Sequence, residues 1–280
     1  MNVKTLVDST ELAQHATWRV FDCRHVLTDP EKGGESYAAG HIPGAVHAHL
    51  ERNLAGVNNG HNGRHPLPTA DAFTRWLGES GVTPRDTVIA YDDGGGIFAA
   101  RLWWLLRWIG HPNAAVLDGG FAAWIQAGFA VQAACPARTA TVYDGRPHDA
   151  LRVTAADVEA NLADPRWQLV DARAANRFAG RDETLDPVGG HIPRAINRPY
   201  TSNLDAAGRF KTPSLLRAEF TGLLGDRPAA AVVHQCGSGV TACHNLLAME
   251  HAGMHGSLLY PGSWSEWCSH PARMIETSSV

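Results

Sequence analysis

Cys236-Gly237-Ser238-Gly239-Val240-Thr241 sets one thiol at the mouth of a short loop in which glycines are interleaved with small side chains. The preceding residues, Ala230-Ala231-Val232-Val233-His234-Gln235, read as a buried strand, and Ala242 through Ala252 carries Leu246, Leu247 and Met249 at helical spacing. The loop therefore opens at a helix N-terminus. Unpaired backbone N–H groups and the helix dipole gather there, so a thiolate, or an anion bonded to it, is stabilised. Cys236 is a candidate nucleophile.

The elements that position this loop occur twice. Trp18-Arg19-Val20-Phe21-Asp22-Cys23-Arg24 returns as Trp167-Gln168-Leu169-Val170-Asp171-Ala172-Arg173, at a separation of about 150 residues that suits two domain copies. Gly40-His41-Ile42-Pro43-Gly44-Ala45 matches Gly190-His191-Ile192-Pro193-Arg194-Ala195, and Leu117 to Trp124 matches Tyr260 to Trp267. Collinearity also sets Asp92-Asp93-Gly94-Gly95-Gly96 opposite Cys236-Gly237-Ser238-Gly239-Val240. One loop carries a thiol and the other does not. Strands and amphipathic helices alternate in both halves, which predicts an α/β fold with mainly parallel sheets covered by helices on both faces. The expected division is a first domain over 1–134, a linker over 135–150 that lacks periodicity, and a second domain over 151–280. Within it, Thr154 and Asp157 read as a capping box.

Composition excludes more than it assigns. A formal charge of −4 leaves no basic footprint for nucleic acid. Met1-Asn2-Val3-Lys4 leads into a capped helix around Thr10-Glu11 without an apolar signal region, and the most apolar helix, Phe98 to Ile109, carries Arg101 and Arg107 and is too short to cross a membrane. Five cysteines without a CxxC pair suit a reducing compartment, so the cytoplasm is the expected location. Asn58 to Pro66, though it holds His61 and His65, has no carboxylate or cysteine to complete a ligand spacing and reads as a polar surface loop. Neither a metal nor an organic cofactor is expected.

The tandem halves, the Gly-His-Ile-Pro turn in each, the Cys-Gly-Ser-Gly-Val-Thr loop in the second and the closing Gly-Ser-Trp-Ser-Glu-Trp segment together resemble the two-domain rhodanese-like sulfurtransferases. The loop is similar to that of the 3-mercaptopyruvate sulfurtransferases, whereas thiosulfate sulfurtransferases typically carry cations inside it. The resemblance implies two tandem rhodanese-like domains and a Cys236 persulfide formed from the donor and passed to a thiol, cyanide or a reductant such as thioredoxin. Physical reasoning points the same way. A persulfide is an anion whose outer sulfur needs several donors aimed at one point, and the amides of Gly237, Ser238, Gly239, Val240 and Thr241 can converge if the loop curls tightly. No Arg or Lys lies inside the loop, which favours an organic donor over the thiosulfate dianion.

The resemblance also implies supporting residues. A loop serine, Ser238, would work with a histidine and an acid from the first half; the matching positions are His41 and Asp29, with Glu31 and Glu35 as substitutes for the acid. An arginine of an Arg-Phe pair, Arg177, would grip the donor carboxylate, as a guanidinium does well. A second family arginine is missing: Asp186 stands near its place, and Arg181 is the nearby substitute. Blander readings stand beside these. His41 and His191 recur in both halves and so suit a structural role, Trp103, Trp104 and Trp108 suit the core, and Cys23, Cys135, Cys243 and Cys268 suit packing. Cys-dependent phosphatases share the architecture, but they need a longer loop ending in Arg. The alternatives left are a thiosulfate:cyanide sulfurtransferase and a binding module of the same fold without turnover. A monomer is expected.

Overall fold

The computed structural model describes residues 4–278. Met1, Asn2 and Val3, on which part of the leader reading rests, lie outside the described residues; the capped helix does not, since Ser9–Ala13 is closed by Asp8, whose carboxylate accepts from the Glu11 N–H at 2.8 Å. The chain forms two compact units. The first comprises 1–56, 67–148 and 206–210, and the second comprises 57–66, 149–205 and 211–280. Residues 57–66 thus leave the first half of the sequence and count with the second unit.

The first unit holds β1 (Leu6–Val7), β2 (Arg19–Asp22), β3 (Val46–His47), β4 (Val88–Tyr91) and β5 (Ala114–Leu117), in the order β1-β5-β4-β2-β3. The second holds β6 (Gln168–Asp171), β7 (Ile196–Asn197), β8 (Val232–Gln235) and β9 (Leu258–Leu259), in the order β7-β6-β8-β9. Every pair between these strands is parallel, as continuous apolar strands alternating with helices predict. The helix Ala99–Trp108 buries Trp103, Trp104 and Trp108, so these are core residues. Thr154 and Asp157 make the capping box at Ala155–Ala163.

The repeated sequence motifs are repeated packing solutions. Asp22 ends β2 and pairs with Arg24, whose Nη2 donates to the Gly40 carbonyl at 2.7 Å; Asp171 ends β6 and pairs with Arg173, whose Nη2 donates to the Gly190 carbonyl at 2.7 Å. Each buried aspartate is thus matched by a guanidinium that in turn fixes the Gly-His-Ile-Pro turn. Such a pair is costly to break, because removing one partner leaves the other charge buried. The turn histidines follow the same logic. His41 stacks on Tyr37 and His191 on Phe178, with each Nδ1 2.8 Å from the carbonyl of its stacking partner.

Residues 135–148 differ from a free linker. The amides of Thr141, Arg146 and His148 donate to Gly78, Ile109 and Trp108, and Tyr143 is buried with its hydroxyl 2.7 Å from His111 Nδ1. The segment lacks periodicity because it is strapped onto the first unit by its backbone. No described helix is long and apolar enough to cross a membrane.

Candidate active site

Cys236 follows the last residue of β8, at the carboxyl edge of a parallel sheet, where ligands of such folds bind. All four residues of β8 are buried, and the helix Thr241–His251 starts five residues after the thiol, as its sequence predicts. The cysteine is 2% exposed and all five cysteines are free thiols. Its backbone is pinned on both sides: the Cys236 N–H donates to Ser263 Oγ at 3.0 Å, and the Trp264 and Ser265 amides donate to the Cys236 and Gly237 carbonyls at 2.9 Å. Ser263 adopts a φ of 55°, a strained value for a residue with a side chain, and its hydroxyl also donates to the Tyr260 carbonyl. Gly239 has a φ of 75°, and a Cβ there would fall inside contact distance of the Pro261 carbonyl, so glycine is demanded twice over.

With the carbonyls of Cys236 and Gly237 engaged on one side, the N–H groups of Ser238, Val240 and Thr241 have no acceptor among the described residues. The thiol-free loop of the first unit reveals what such amides hold. Asp92 stands at the end of β4 as Cys236 stands at the end of β8, and its carboxylate accepts from the amides of Gly94, Gly96, Phe98 and Ala99 at 2.9–3.2 Å. Burial pushes the Asp92 carboxyl up to about 6 against these four bonds. The first loop is an anion cradle closed by its own side chain. In the second, a short thiol takes the aspartate's place and the amides remain available.

Ser238 is buried, and its Oγ lies 2.8 Å from Nδ1 of His65. The histidine beside the loop serine is therefore His65, from the segment that reads as a polar surface loop. His41 is placed otherwise: it is wholly buried in the first unit, with Nδ1 against the Tyr37 carbonyl and Nε2 3.4 Å from Gln132 Nε2. Both nitrogens are engaged there, which corrects the relay reading of His41 in favour of its structural alternative. Asp29 is exposed in a turn, its backbone bonded to Val26 and Lys32; Glu31 pairs with Arg52, and Glu35 with Lys32.

Two arginines flank Gly237. A Cβ on that glycine would meet Arg64 Nη2 at 2.8 Å and Arg177 Nη2 and Nη1 at 3.6 and 3.8 Å. Arg177 donates to Glu183 through Nε and Nη2 at 2.9 and 2.8 Å, and Asp186 pairs with both Arg64 and Arg177. Burial raises the Glu183 carboxyl, but Arg177 and the Leu185 and Asp186 amides outweigh it and hold it below its ordinary range. Arg181 is exposed and has no ion pair among the described residues. A loop without internal cations thus has two beside it.

Trp264 and Trp267 are fully buried, with indole N–H groups donating to Val188 and Met274 carbonyls and guanidinium groups of Arg173 and Arg273 over their rings. They pack the second core. Cys243 is buried and its thiol donates to the Gly239 carbonyl at 3.2 Å, which locks the loop to the helix. No group of three or more His, Cys, Asp or Glu residues suited to a metal occurs among the described residues.

The model of the rhodanese-like domain matches the chain twice, over residues 5–127 and 154–270. A probable 3-mercaptopyruvate sulfurtransferase of Pseudomonas aeruginosa is 46% identical over 260 residues, covering 92% of each chain. A putative thiosulfate sulfurtransferase of Mycobacterium tuberculosis is 36% identical over 91% of this chain and 89% of the relative. Among solved structures, the 3-mercaptopyruvate sulfurtransferase from Leishmania major superposes with a TM-score of 0.85 at 33% identity, covering 94% of this chain and 74% of that one.

Proposed function

Because the chain belongs to the rhodanese-like family and is a two-domain sulfurtransferase, we propose that it takes a sulfane sulfur from 3-mercaptopyruvate onto Cys236 and passes it to a thiol or cyanide. The observation that carries the reading is the pairing of a buried thiol with loop amides that have no acceptor among the described residues, in a loop whose counterpart already cradles a carboxylate. A persulfide anion replaces that carboxylate as the bound charge. Preorganised amides stabilise it without reorganising, which is the main electrostatic resource of such sites.

The reaction is ping-pong. The Cys236 thiolate attacks the donor sulfur, an S–S bond forms, and the C–S bond breaks with its electron pair left on carbon as the pyruvate enolate. Ser238 Oγ–H, backed by His65, delivers the proton that converts the enolate to pyruvate, and the proton lost from the donor thiol restores the pair. The outer sulfur then passes to an acceptor: attack by a thiolate or cyanide breaks the S–S bond and returns its electrons to Cys236. A dithiol reductant such as thioredoxin would release hydrosulfide and leave as its own disulfide. The odd number of free cysteines supports a cytoplasmic protein, and the site as read needs one chain, hence a monomer.

Thiocyanate formation from cyanide with 3-mercaptopyruvate, and separately with thiosulfate, tests the reading through the ratio of kcat/KM values. The result expected is a clear preference for mercaptopyruvate. A preference for thiosulfate would favour the runner-up, which the relative from Mycobacterium tuberculosis supports by name. Silence with both donors would leave a binding module.

A further inference from the structure

Residues 57–66 close on themselves before they meet anything else. The ends of the segment touch, since a Cβ on Gly56 would lie 2.5 Å from the Leu67 carbonyl oxygen. The tip is bonded internally. Amides of Asn59, Gly60 and His61 donate to the side-chain oxygens of Asn62, Asn58 and Asn59 at 3.0, 2.7 and 2.9 Å, and Asn62 Nδ2 donates to the Val57 carbonyl at 3.0 Å. This is an Ω-loop stiffened by asparagine turns. Past its tip the loop docks: the Arg64 N–H donates to Ser265 Oγ at 3.0 Å, Arg64 Nη2 lies over Gly237, and His65 meets Ser238. One compact loop thus lies on the two residues that follow the thiol, and Cys236 is 2% exposed. Lifting this loop is the direct way to uncover the sulfur.

His61 stands at the tip of the loop, and its ring meets that of His270 with centroids 5.7 Å apart and planes tilted by 46°. His270 follows the helix Ser263–Trp267, where its N–H donates to the Trp267 carbonyl and its carbonyl accepts from the Arg273 N–H. That helix also holds the Cys236 N–H through Ser263. Both imidazoles are exposed, and neither ring makes a hydrogen bond or ion pair among the described residues. Their nitrogens are open to a ligand. Zinc–imidazole bonds of about 2.0–2.1 Å in tetrahedral geometry place two ring centres about 5.2 Å apart. A small χ rotation of the two exposed side chains closes the difference.

We propose that His61 and His270 bind a divalent transition metal, zinc above all, as a clasp that holds the Ω-loop down on the thiol. Imidazole selects zinc, copper or nickel over magnesium and calcium, which prefer oxygen. With only two protein ligands the remaining positions belong to water, so the metal exchanges freely and acts as a signal rather than as a support for the fold. It bridges two segments that each grip the Cys236 loop, one through His65 and the other through Ser263. Metal bound only to the docked loop favours that state by mass action. Access to Cys236 falls as a result, whichever sulfur donor the protein uses.

The test is alkylation of the native full chain by iodoacetamide with and without zinc, read at each cysteine by peptide mapping, because cyanide and mercaptopyruvate would themselves take up the metal. With zinc at about ten times its dissociation constant, alkylation of Cys236 should slow about tenfold and recover with EDTA. The exposed Cys135 should keep its rate and serves as the internal reference. Calorimetry of Cys236→Ser should show the same zinc site, weakened at least about tenfold in His61→Asn and in His270→Asn. At the same zinc concentration those two variants should alkylate within about twofold of the metal-free rate, and metal-free rates equal to the wild type report that both are folded. Protection that survives undiminished in either variant, a zinc site that is lost in Cys236→Ser or that neither histidine variant weakens, or binding without protection overturns the proposal.

Discussion

Two histidines illustrate how position, not residue type, decides a role. His41 and His65 are both buried, but His41 spends its nitrogens on Tyr37 and Gln132 whereas His65 faces a loop serine two residues from the thiol. Replacing His65 by Gln or Ser238 by Ala should lower kcat with mercaptopyruvate by about 100-fold, the low end for general acid–base catalysis, in a stopped thiocyanate assay. His41→Gln should instead cost about 2 kcal/mol in urea unfolding and leave kcat unchanged, because it removes buried hydrogen bonds and no reacting group. If His41→Gln were the variant that lost turnover while keeping its stability, the two assignments would have to be exchanged. Cys236 itself was legible at once, since its loop, strand and helix are contiguous. Arg64 and His65 were not: their partners lie 201 and 173 residues away, and no local spacing in Asn58 to Pro66 signals a contact that only folding creates.

Among the elements, the two loops after β4 and β8 are one design with different occupants. In the first the Asp92 carboxylate is bound by four amides, so Asp92→Ala should strand those donors and destabilise the first unit by about 3 kcal/mol, measured as a lowered midpoint of urea unfolding. In the second, Gly239→Ala should distort the loop, because the added methyl collides with Pro261 and the φ of 75° opposes a side chain. Loss of sulfur transfer with the fold retained by circular dichroism is the expected result; full activity would show that the curl of the loop is unnecessary. The strand pattern, the capping box and the paired Asp-x-Arg motifs were readable because each is local or recurs. What escaped was the strapping of residues 135–148, which is made by backbone groups of Thr141, Arg146 and His148 and leaves no mark in side-chain periodicity.

At the scale of the whole molecule, buried neutral histidines set the acid side of its stability. Burial drives His234, wholly enclosed beside Met249, down to about 3, and His25, packed near His47 and His49, down to about 4. Both fall below the ordinary value of 6.5. The unfolded chain then binds more protons than the folded one, so this contribution is complete above 6.5 and is lost as the pH falls toward 3. Asp92 works in the opposite sense. Its folded value of about 6, above the ordinary 3.8, makes the folded state hold the extra proton, so its contribution weakens as pH rises between those limits. From these three groups stability should fall between about 6 and 4 with a net slope of about one proton, since Asp92 cancels one of the two histidine protons. Unfolding free energies measured across pH 4–7 should show this slope, and Asp92→Asn should about double it between 6 and 4; a stability that rose on acidification through the same range would reverse the assignment.

The most direct measurement is the mass of the intact chain after brief exposure to 3-mercaptopyruvate without an acceptor, followed by peptide mapping. The expected result is a gain of about 32 daltons, one sulfur atom, confined to the peptide that carries Cys236, absent in Cys236→Ser and discharged by cyanide as thiocyanate. A sulfur found on another cysteine, or turnover that persists in Cys236→Ser, would contradict it.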